Sequence, residues 1–434
     1  MYPNLYYFFK DVFNISLPFL KVINTFGFMV AISFLGCAWL LVKELQRKQA
    51  KGLLTYTETK ITIGEPAKPA ELISNFIVGF LFGYKLLGLF LTPNAFSDPQ
   101  GFLFSSGGSW IGGIALGALL SFLRWQSKNK DKLAKPEQRI LKIWPSDRVG
   151  DLVIIAFIGG FAGAKVFDNL ENWDRFIEDP IGNLFSRSGL TFYGGLIVAA
   201  TVIYFYARKH RFSYVHLCDA IAPGLMFAYG WGRTGCQVAG DGDWGILNSA
   251  YISDRQGVVH LATPEQFNST LEQYQSLYAD HIASTGAVQH AAVKTFWGLP
   301  DWLFAYTYPH NVNHEGIPLL NCGWDDFCNY LPLPVFPTPI YEIVVGLLLS
   351  LFLWLMRTKI NVAGRLFAIY LFVNGIERFF IEKIRVNTRY SMFGFHPTQA
   401  ELISSLLMIA GILLYWYAPH LRENKIKKAQ PEMV

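Results

Sequence analysis

Two arginine-containing motifs carry the residue types in this sequence that are best suited to chemistry. The first is a glycine-rich run, in which Arg233 and Cys236 are followed by Asp241 and Asp243: Tyr229-Gly-Trp-Gly-Arg-Thr-Gly-Cys-Gln-Val-Ala-Gly-Asp-Gly-Asp-Trp-Gly245. A planar guanidinium can bind two phosphate oxygens at once, and arginine is costly at the edge of hydrocarbon. The run therefore indicates a phosphate-binding site beside an apolar segment.

A second cation lies in a later apolar segment, Asn374-Gly-Ile-Glu-Arg-Phe-Phe-Ile-Glu-Lys-Ile-Arg385. Glu382 follows Arg378 by one helical turn, so the two side chains share a helix face. Taken alone, the pair fits a buried ion pair that supports a helix bundle as well as it fits a functional site.

A third motif is the glycine step Gly189-Leu-Thr-Phe-Tyr-Gly-Gly-Leu196. Gly194 and Gly195 stand where a helix begins, which leaves backbone donors exposed and allows a bulky ligand to approach closely. Close helix packing explains most glycines in membranes, and it is the favoured explanation for these two by themselves.

The elements that position these motifs are predicted from hydropathy. The sequence is 52% apolar and 16% charged, and its apolar residues cluster in long runs. Runs of roughly 17–23 residues match a hydrocarbon slab about 30 Å thick, whereas buried helices of a soluble protein need only about 10–14. We predict an all-α polytopic membrane protein, a bundle of about nine transmembrane helices near Val22–Val42, Glu71–Thr92, Ser106–Arg124, Asp151–Leu170, Leu190–Ala207, Tyr214–Gly232, Ile340–Met356, Arg365–Ile381 and Ala400–Trp416.

Positive charge predicts the orientation of these spans, because lysine and arginine are retained on the cytoplasmic side. Basic residues fall at alternate ends of successive spans, in Lys43–Lys51, Arg124–Arg148, Arg208–Arg211, Arg357–Lys359 and Arg422–Lys428. The amino terminus is therefore expected outside and the carboxyl terminus in the cytoplasm of a bacterial inner membrane. These dispersed loops account for the net charge of +5, and no nucleic-acid partner is expected.

The long segment 246–339 is expected outside the cytoplasm as a small folded domain, because it is too long for a simple connection. It contains two of the five cysteines, Cys322 and Cys328, which an oxidising compartment favours as a disulfide. A metal site that uses His310 and His314 is the weaker alternative, because one cysteine pair is half a ligand set.

An internal repeat is also present. The run Glu71-Leu-Ile-Ser-Asn-Phe-Ile-Val-Gly-Phe-Leu-Phe-Gly-Tyr-Lys85 parallels Asp151-Leu-Val-Ile-Ile-Ala-Phe-Ile-Gly-Gly-Phe-Ala-Gly-Ala-Lys165, and Gly112-Gly113 parallels Gly194-Gly195. We infer that a helix pair has been duplicated and that the first copy is structural.

The predicted organisation has five parts. They are an outside amino terminus and first span (1–43), the extra helix pair with cytoplasmic loops (44–150), core spans with the glycine-rich and arginine signature (151–245), the outer domain (246–339), and C-terminal spans with a cytoplasmic tail (340–434).

These residues resemble a family, the prolipoprotein diacylglyceryl transferases. Members carry a Ser-Phe-His-Gly-Gly step, a Gly-Arg-x-Gly-Asn-Phe-x-Asn-x-Glu-x-x-Gly signature, a Pro-x-Gln-x-Tyr-Glu step and a late Arg-x-x-x-Glu helix. The corresponding stretches occur here in the same order, at Thr191–Gly195, Gly232–Gly245, Pro337–Glu342 and Arg378–Glu382, and Asp219–Pro223 also fits.

The sequence departs from the family at several of these positions. Tyr193 replaces a histidine, Cys236 an asparagine, Phe26 a tyrosine and Pro339 a glutamine. One residue is inserted near Gly242, so either Asp241 or Asp243 stands for the family's glutamate. The departures leave the arginines in place and the proton acceptor open, and they indicate a divergent branch of the family.

The resemblance implies transfer of a diacylglyceryl group from phosphatidylglycerol to the lipobox cysteine of a prolipoprotein signal peptide, with release of glycerol phosphate. It implies that Arg233 binds the phosphate, that Arg378 stabilises the developing charge or the thiolate, and that Tyr193 with one of the two aspartates positions the glycerol or relays a proton. His396 is an alternative base. The substrate-binding residues implied are Gly194, Gly195, Gly235, Cys236, Gly240, Asp241, Asp243, Gly245, Tyr341, Glu342 and Glu382.

Phosphatidylglycerol, the prolipoprotein and membrane lipids are thus the expected partners, and no metal or organic cofactor is expected. Two other functions are compatible with duplicated helices and intramembrane arginine: a transporter or flippase, and a non-catalytic homologue that binds lipid or lipoprotein. A transporter does not explain why the charged and glycine-rich motifs share one predicted membrane boundary.

Overall fold

The computed structural model describes residues 1–92, 101–102, 105–133, 135–186, 189, 191–281, 288–324, 327–387, 390, 396–422 and 424. The chain divides into two compact units. The larger unit consists of Met1–Pro3, Thr25–Tyr56 and Trp144–Val434, and the smaller unit of Asn4–Asn24 and Thr57–Ile143. Most of the predicted basic tail, up to Lys428, lies outside the described residues.

The protein is mostly helical, and each of the nine predicted segments forms a helix over its described residues. In chain order the helices are α1 (Leu5–Phe13), α2 (Thr25–Ala50), α3 (Pro69–Leu91, with a π-helical turn at Gly83–Leu87), α4 (Trp110–Lys130), α5 (Val149–Glu171), α6 (Trp173–Glu178), α7 (Pro180–Phe185), α8 (Phe192–Lys209), α9 (Tyr214–Ala239), α10 (Pro264–Gln273), α11 (Thr338–Met356), α12 (Arg365–Glu382) and α13 (Gln399–Tyr417).

Five helical segments of the described chain are long and apolar enough to cross a membrane by length and composition. They are Thr25–Ala50, Pro69–Leu91, Pro145–Glu171, Thr338–Met356 and Gln399–His420. The nine predicted segments are thus helical where the structure describes them, five helical segments meet these criteria for a span, and the count of nine transmembrane helices stays a prediction.

Helix α9 is the centre of the larger unit, and it packs against α2, α11 and α12. Small residues allow the close approach: a methyl group added at Gly224 would lie 2.9 Å from Cys37 Sγ, and one at Gly230 would lie 2.9 Å from the backbone nitrogen of Leu347. Close backbone approach through glycine is the usual way in which membrane helices associate. This packing fixes the end of α9, where the first arginine motif lies.

The two copies of the predicted repeat have the same internal geometry. A methyl group at Gly112 of α4 would lie 2.7 Å from the carbonyl oxygen of Gly83, and one at Gly194 of α8 would lie 2.7 Å from that of Gly163. Lys85 Nζ donates to the carbonyl oxygen of Gly107 at 2.7 Å, and its counterpart Lys165 Nζ donates to the carbonyl oxygen of Gly189 at 3.3 Å. Matching glycine crossings and lysine contacts at equivalent positions support a duplicated helix pair.

Two strands that the sequence did not predict flank the first helix pair, one before it and one after it, and they form an antiparallel ribbon. Strand β1 (Thr57–Ile63) pairs with β2 (Glu137–Ile143), in a register that joins Thr57 to Ile143 and Ile63 to Glu137. The residues had been predicted as cytoplasmic loop. Their β-branched residues favour strands, but most of the ribbon is exposed, so it lacks the pattern of a buried face.

The described residues of 246–339 form a folded segment around a buried apolar cluster, which includes Leu247, Phe267, Tyr278 and Leu333 together with Trp244 just before the segment. Its short strands are β3 (Leu247–Asn248), β4 (Tyr251–Ser253), β5 (Val259–Leu261), β6 (His290–Ala291), β7 (Ile317–Pro318) and β8 (Asn329–Tyr330). Strand β3 pairs with β6 in parallel, β4 with β5 antiparallel and β7 with β8 antiparallel.

The predicted disulfide in this segment is confirmed. Cys322 and Cys328 are bonded to each other, with their Cα atoms 5.7 Å apart. Trp324 belongs to the small loop that the disulfide closes, and the ring of His310 stacks on it at a centroid distance of 4.0 Å. Because the two thiols bond to each other, they do not serve as metal ligands, and the alternative that used His310 and His314 loses its cysteines.

Candidate active site

Three helix ends bring the two arginine motifs together. Helix α9 supplies Arg233 near its carboxyl end, α11 supplies Glu342 in its first turns, and α12 supplies Arg378 near its carboxyl end. Helix α9 ends because Gly240 adopts the left-handed conformation, with φ of 67°, and its N–H donates to the carbonyl oxygen of Cys236 at 2.9 Å. Antiparallel neighbours thus place all three charged side chains at one level.

The centre of the cluster is a buried carboxylate that faces three arginines. The Glu342 side chain is 0% exposed. Its Oε2 lies 3.2 Å from Arg233 Nε, and its Oε1 lies 3.6 Å from Arg378 Nη1 and 3.7 Å from Arg385 Nη1. A buried ion is tolerated only when opposite charges and hydrogen bonds surround it, so Glu342 holds the arginines in one place.

Arg385 was not predicted as a site residue. It follows the end of α12, and an extended segment after the glycine-rich run positions it. Ile246 N donates to the carbonyl oxygen of Ile384 at 2.9 Å, and Gly245 forms an antiparallel bridge with Arg385. A methyl group at Gly245 would lie 2.6 Å from the Ile384 carbonyl oxygen. Gly245, a predicted substrate-binding residue, therefore allows these two segments of the chain to approach closely.

Acidic side chains at the edge of the cluster complete the ion pairs. Asp243 contacts both Arg233 and Arg385, and its carbonyl oxygen accepts a hydrogen bond from Thr338 Oγ1 at 3.0 Å. Glu382 Oε2 lies 3.0 Å from Arg378 Nη2. The spacing of Arg378 and Glu382 had predicted this contact, and the structure confirms it.

The two aspartates that the sequence left open have different surroundings. Asp243 joins the arginines, whereas Asp241 interacts with Cys236 and accepts a hydrogen bond from the backbone N–H of Asp243 at 3.3 Å. Burial raises the pKa of the Asp241 carboxyl above its ordinary value. The Cys236 sulfur lies 3.8 Å from Arg233 Nη1.

Two further polar residues in the cluster were missed by sequence reasoning. The Tyr229 hydroxyl lies 2.7 Å from Glu342 Oε1 and 3.0 Å from Glu377 Oε1. A phenol carries one proton and can donate to one carboxylate at a time. The Tyr229 hydroxyl therefore lies between the two acids and donates to one of them. The signal for Glu377 was available, because a second acid inside a predicted apolar span is unusual.

Tyr193 interacts electrostatically with Arg378 and Glu382 from the start of α8. The glycines beside it are packed against α5, since a methyl group at Gly195 would lie 2.7 Å from the carbonyl oxygen of Gly160. Helix packing therefore accounts for the positions of Gly194 and Gly195.

Two other predicted residues also make packing or structural contacts. A methyl group at Gly235 would lie 3.2 Å from the carbonyl oxygen of Phe26 in α2. The Tyr341 hydroxyl donates to the carbonyl oxygen of Leu303 at 2.5 Å, and so it joins α11 to the segment 246–339.

The arrangement is suited to binding an anion. Among the described residues, Arg378 Nη1, Arg385 Nε and Arg385 Nη1 are buried nitrogens without a hydrogen bond of good geometry. Glu342, Asp243 and Glu382 offset the charges of the three arginines, so it is these unused N–H donors, and not a net positive charge, that suit the site to an anion. Guanidinium groups with unused donors are the expected ligands for phosphate oxygens.

Site and fold together define a membrane protein in which three arginines surround a buried carboxylate at the meeting point of three helix ends. The chain belongs to the prolipoprotein diacylglyceryl transferase family, whose sequence pattern matches residues 109–417. The matched region contains Tyr193, all three arginines and every predicted substrate-binding residue. The family identified from the motifs is confirmed.

Individual relatives have the same family name. The chain is 24% identical over 272 residues to phosphatidylglycerol–prolipoprotein diacylglyceryl transferase 2 of Clostridium perfringens, which covers 62% of this chain and 78% of that protein. It is 24% identical over 314 residues to the phosphatidylglycerol–prolipoprotein diacylglyceryl transferase of Dehalococcoides mccartyi, over 72% of this chain and 88% of that protein. The Leptospira interrogans enzyme of the same name is 32% identical over 124 residues, or 39% of its length.

Proposed function

We propose that this chain transfers a diacylglyceryl group from phosphatidylglycerol to the sulfur of a lipobox cysteine in a prolipoprotein. The observation that carries the proposal is the cluster of Arg233, Arg378 and Arg385 around buried Glu342, inside the region that matches the family. The relatives' names specify the same lipid and the same class of acceptor.

The reaction breaks the bond between the glycerol carbon and the phosphate oxygen and forms a carbon–sulfur bond. The thiol must lose its proton to attack, and the departing glycerol phosphate gathers negative charge. Cationic groups are most effective where charge develops in the transition state. We assign Arg233 to the phosphate, and Arg378 to the developing charge or the thiolate. Arg385 adds a third positive charge, because it contacts Glu342 and Asp243 beside the other two arginines.

Asp243 positions the arginines, because it contacts two of them. Asp241 is then the better candidate to accept a proton or orient the glycerol, because its carboxyl is not part of the arginine cluster and burial raises its pKa. Tyr193 assists at the same site in this scheme, since it interacts electrostatically with Arg378. No step in this scheme uses a metal or an organic cofactor.

We propose a membrane placement that suits the same chemistry. In our proposal all nine predicted segments cross the bacterial inner membrane, with the amino terminus and residues 246–339 outside and the carboxyl terminus in the cytoplasm. The arginine cluster then lies at the outer ends of α9, α11 and α12. Secreted precursors and outer-leaflet phosphatidylglycerol both meet that boundary.

Complementation tests the function directly. The gene would be expressed in a strain depleted of its own transferase, and the mass of a reporter lipoprotein would be measured. We expect a mass increase equal to one diacylglyceryl group on the lipobox cysteine. An unmodified reporter, in cells whose membranes contain the folded chain, would favour the lipid-binding or transport functions instead.

A further inference from the structure

A loop in the segment 246–339 exposes a group of apolar side chains. The loop comprises residues 295–304, Thr-Phe-Trp-Gly-Leu-Pro-Asp-Trp-Leu-Phe, and is called the aromatic loop below. Trp297 is 92% exposed, and Phe296, Leu299 and Trp302 are also exposed. Single exposed apolar residues are ordinary, but a contiguous group of them usually marks an interaction with a protein or a membrane.

Hydrogen bonds hold the base of the aromatic loop closed. Asp301 Oδ1 accepts from Thr295 Oγ1 at 2.9 Å and from the Tyr251 hydroxyl at 3.1 Å. Thr295 N donates to the same tyrosine hydroxyl at 3.0 Å. The loop is therefore fixed on strand β4, because Tyr251 belongs to that strand and is fully buried.

The tip of the aromatic loop has an unusual backbone conformation. Trp297 and Gly298 are both left-handed, with φ of 57° and 71°. A bulky residue with positive φ is uncommon and persists where the surrounding structure determines it. The rings of Phe296 and Phe304 pack with centroids 5.1 Å apart. The loop thus holds Trp297 outward instead of folding it onto the protein.

One contact fixes the aromatic loop relative to a membrane segment. Tyr341 lies in the first turn of α11, one of the five candidate spans, and its hydroxyl donates to the carbonyl oxygen of Leu303 at 2.5 Å. Tyrosine and tryptophan are enriched where spans cross the boundary between lipid and water. The base of the aromatic loop therefore lies beside the start of α11, where this candidate span would enter the hydrocarbon.

We propose that the aromatic loop inserts into the interfacial region of the outer leaflet and anchors the segment 246–339 to the lipid surface. The amphipathic indole rings of Trp297 and Trp302 suit the headgroup boundary, and Phe296 and Leu299 supply apolar area for the upper acyl chains. The anchor holds this segment at one height above the arginine cluster. It depends on the proposed orientation of the chain and not on the transferase reaction.

Depth measurement on the full-length protein in phosphatidylglycerol-containing nanodiscs tests the anchor. Trp297→Cys and, as a second position, Phe296→Cys would be labelled with an environment-sensitive fluorophore under non-reducing conditions, which preserve the disulfide. The unsubstituted protein, labelled in parallel, corrects for the native thiols. Leu320→Cys is the matched control, because Leu320 is an exposed apolar residue near the disulfide of the same segment.

We expect a spin label near the lipid headgroup to quench the probes at 297 and 296 and to leave the probe at 320 bright, with aqueous iodide giving the reverse pattern. Probes at 297 and 296 that are open to iodide and unaffected by the lipid label would overturn the proposal. Protection that develops only after a lipobox peptide is added would also overturn it, in favour of a peptide-binding loop. Because no turnover is measured, a chain without transferase activity gives the same readout.

Discussion

The exchange of Arg233 for lysine is the sharpest test of the site. The guanidinium of Arg233 contacts Glu342 through Nε at 3.2 Å and Asp243 through Nη1. A lysine keeps the charge, but its single ammonium cannot reproduce both contacts or bind two phosphate oxygens at once. Loss of one such transition-state contact typically costs about 3–4 kcal/mol, or roughly two to three powers of ten in rate. Arg378→Lys is expected to have a similar effect.

The assay separates lost chemistry from lost structure. Each variant would be purified in detergent and assayed for release of glycerol phosphate from phosphatidylglycerol in the presence of a lipobox peptide. The melting temperature should stay close to that of the parent. Arg124→Lys is the matched control, because Arg124 makes an ion pair with Glu71 at 2.8 Å in the first helix pair, and its rate should be unchanged.

If Arg233→Lys and Arg378→Lys both turn over at the parent rate, the arginines act only as packing ions. The lipid-binding and transport functions would then be better supported than the transferase site.

Tyr193→Phe should lower the rate mildly if the ring only shapes the pocket, and as strongly as the arginine exchanges if the hydroxyl relays the proton, which the same assay measures. Because burial raises the pKa of Asp241, the parent rate should increase with pH as this carboxyl ionises, and Asp241→Asn should remove that limb of the pH–rate profile. A reporter fused after Gln275 should be active outside the cytoplasm, and a cytoplasmic signal there would reverse the proposed orientation. Thiol reagents should leave Cys322 and Cys328 unmodified until a reductant is added, and free labelling of both in unreduced protein would contradict the bond.

Hydropathy predicted the helices well because long apolar runs are a local property. It placed their ends less accurately, since α9 continues to Ala239 and not to Gly232. Glycines usually argue against helix continuation, but the packing of Gly235 on Phe26 stabilises the extra turns. As a result Arg233 and Cys236 belong to the helix itself.

The sequence predicted Arg233 and Arg378 of the candidate site, but it did not predict the other residues that contact Glu342 directly. Arg378 and Glu382 are one turn apart, so their contact follows from local geometry. Arg385 reaches the cluster only because the chain around Gly245 pairs with it, a contact between residues far apart in sequence. The choice between Asp241 and Asp243 also depended on that pairing, and no local pattern distinguishes them.

The pairing of β1 with β2 makes the first helix pair a detachable module. Thr57 lies opposite Ile143, so the chain enters and leaves the inserted stretch at neighbouring points. An insertion with adjacent ends can be added to a protein, or excised from it, with little change in the path of the remaining chain. Joining residue 56 to residue 144 through a short flexible linker is therefore expected to give a chain of ordinary connectivity, as an inserted helix pair requires.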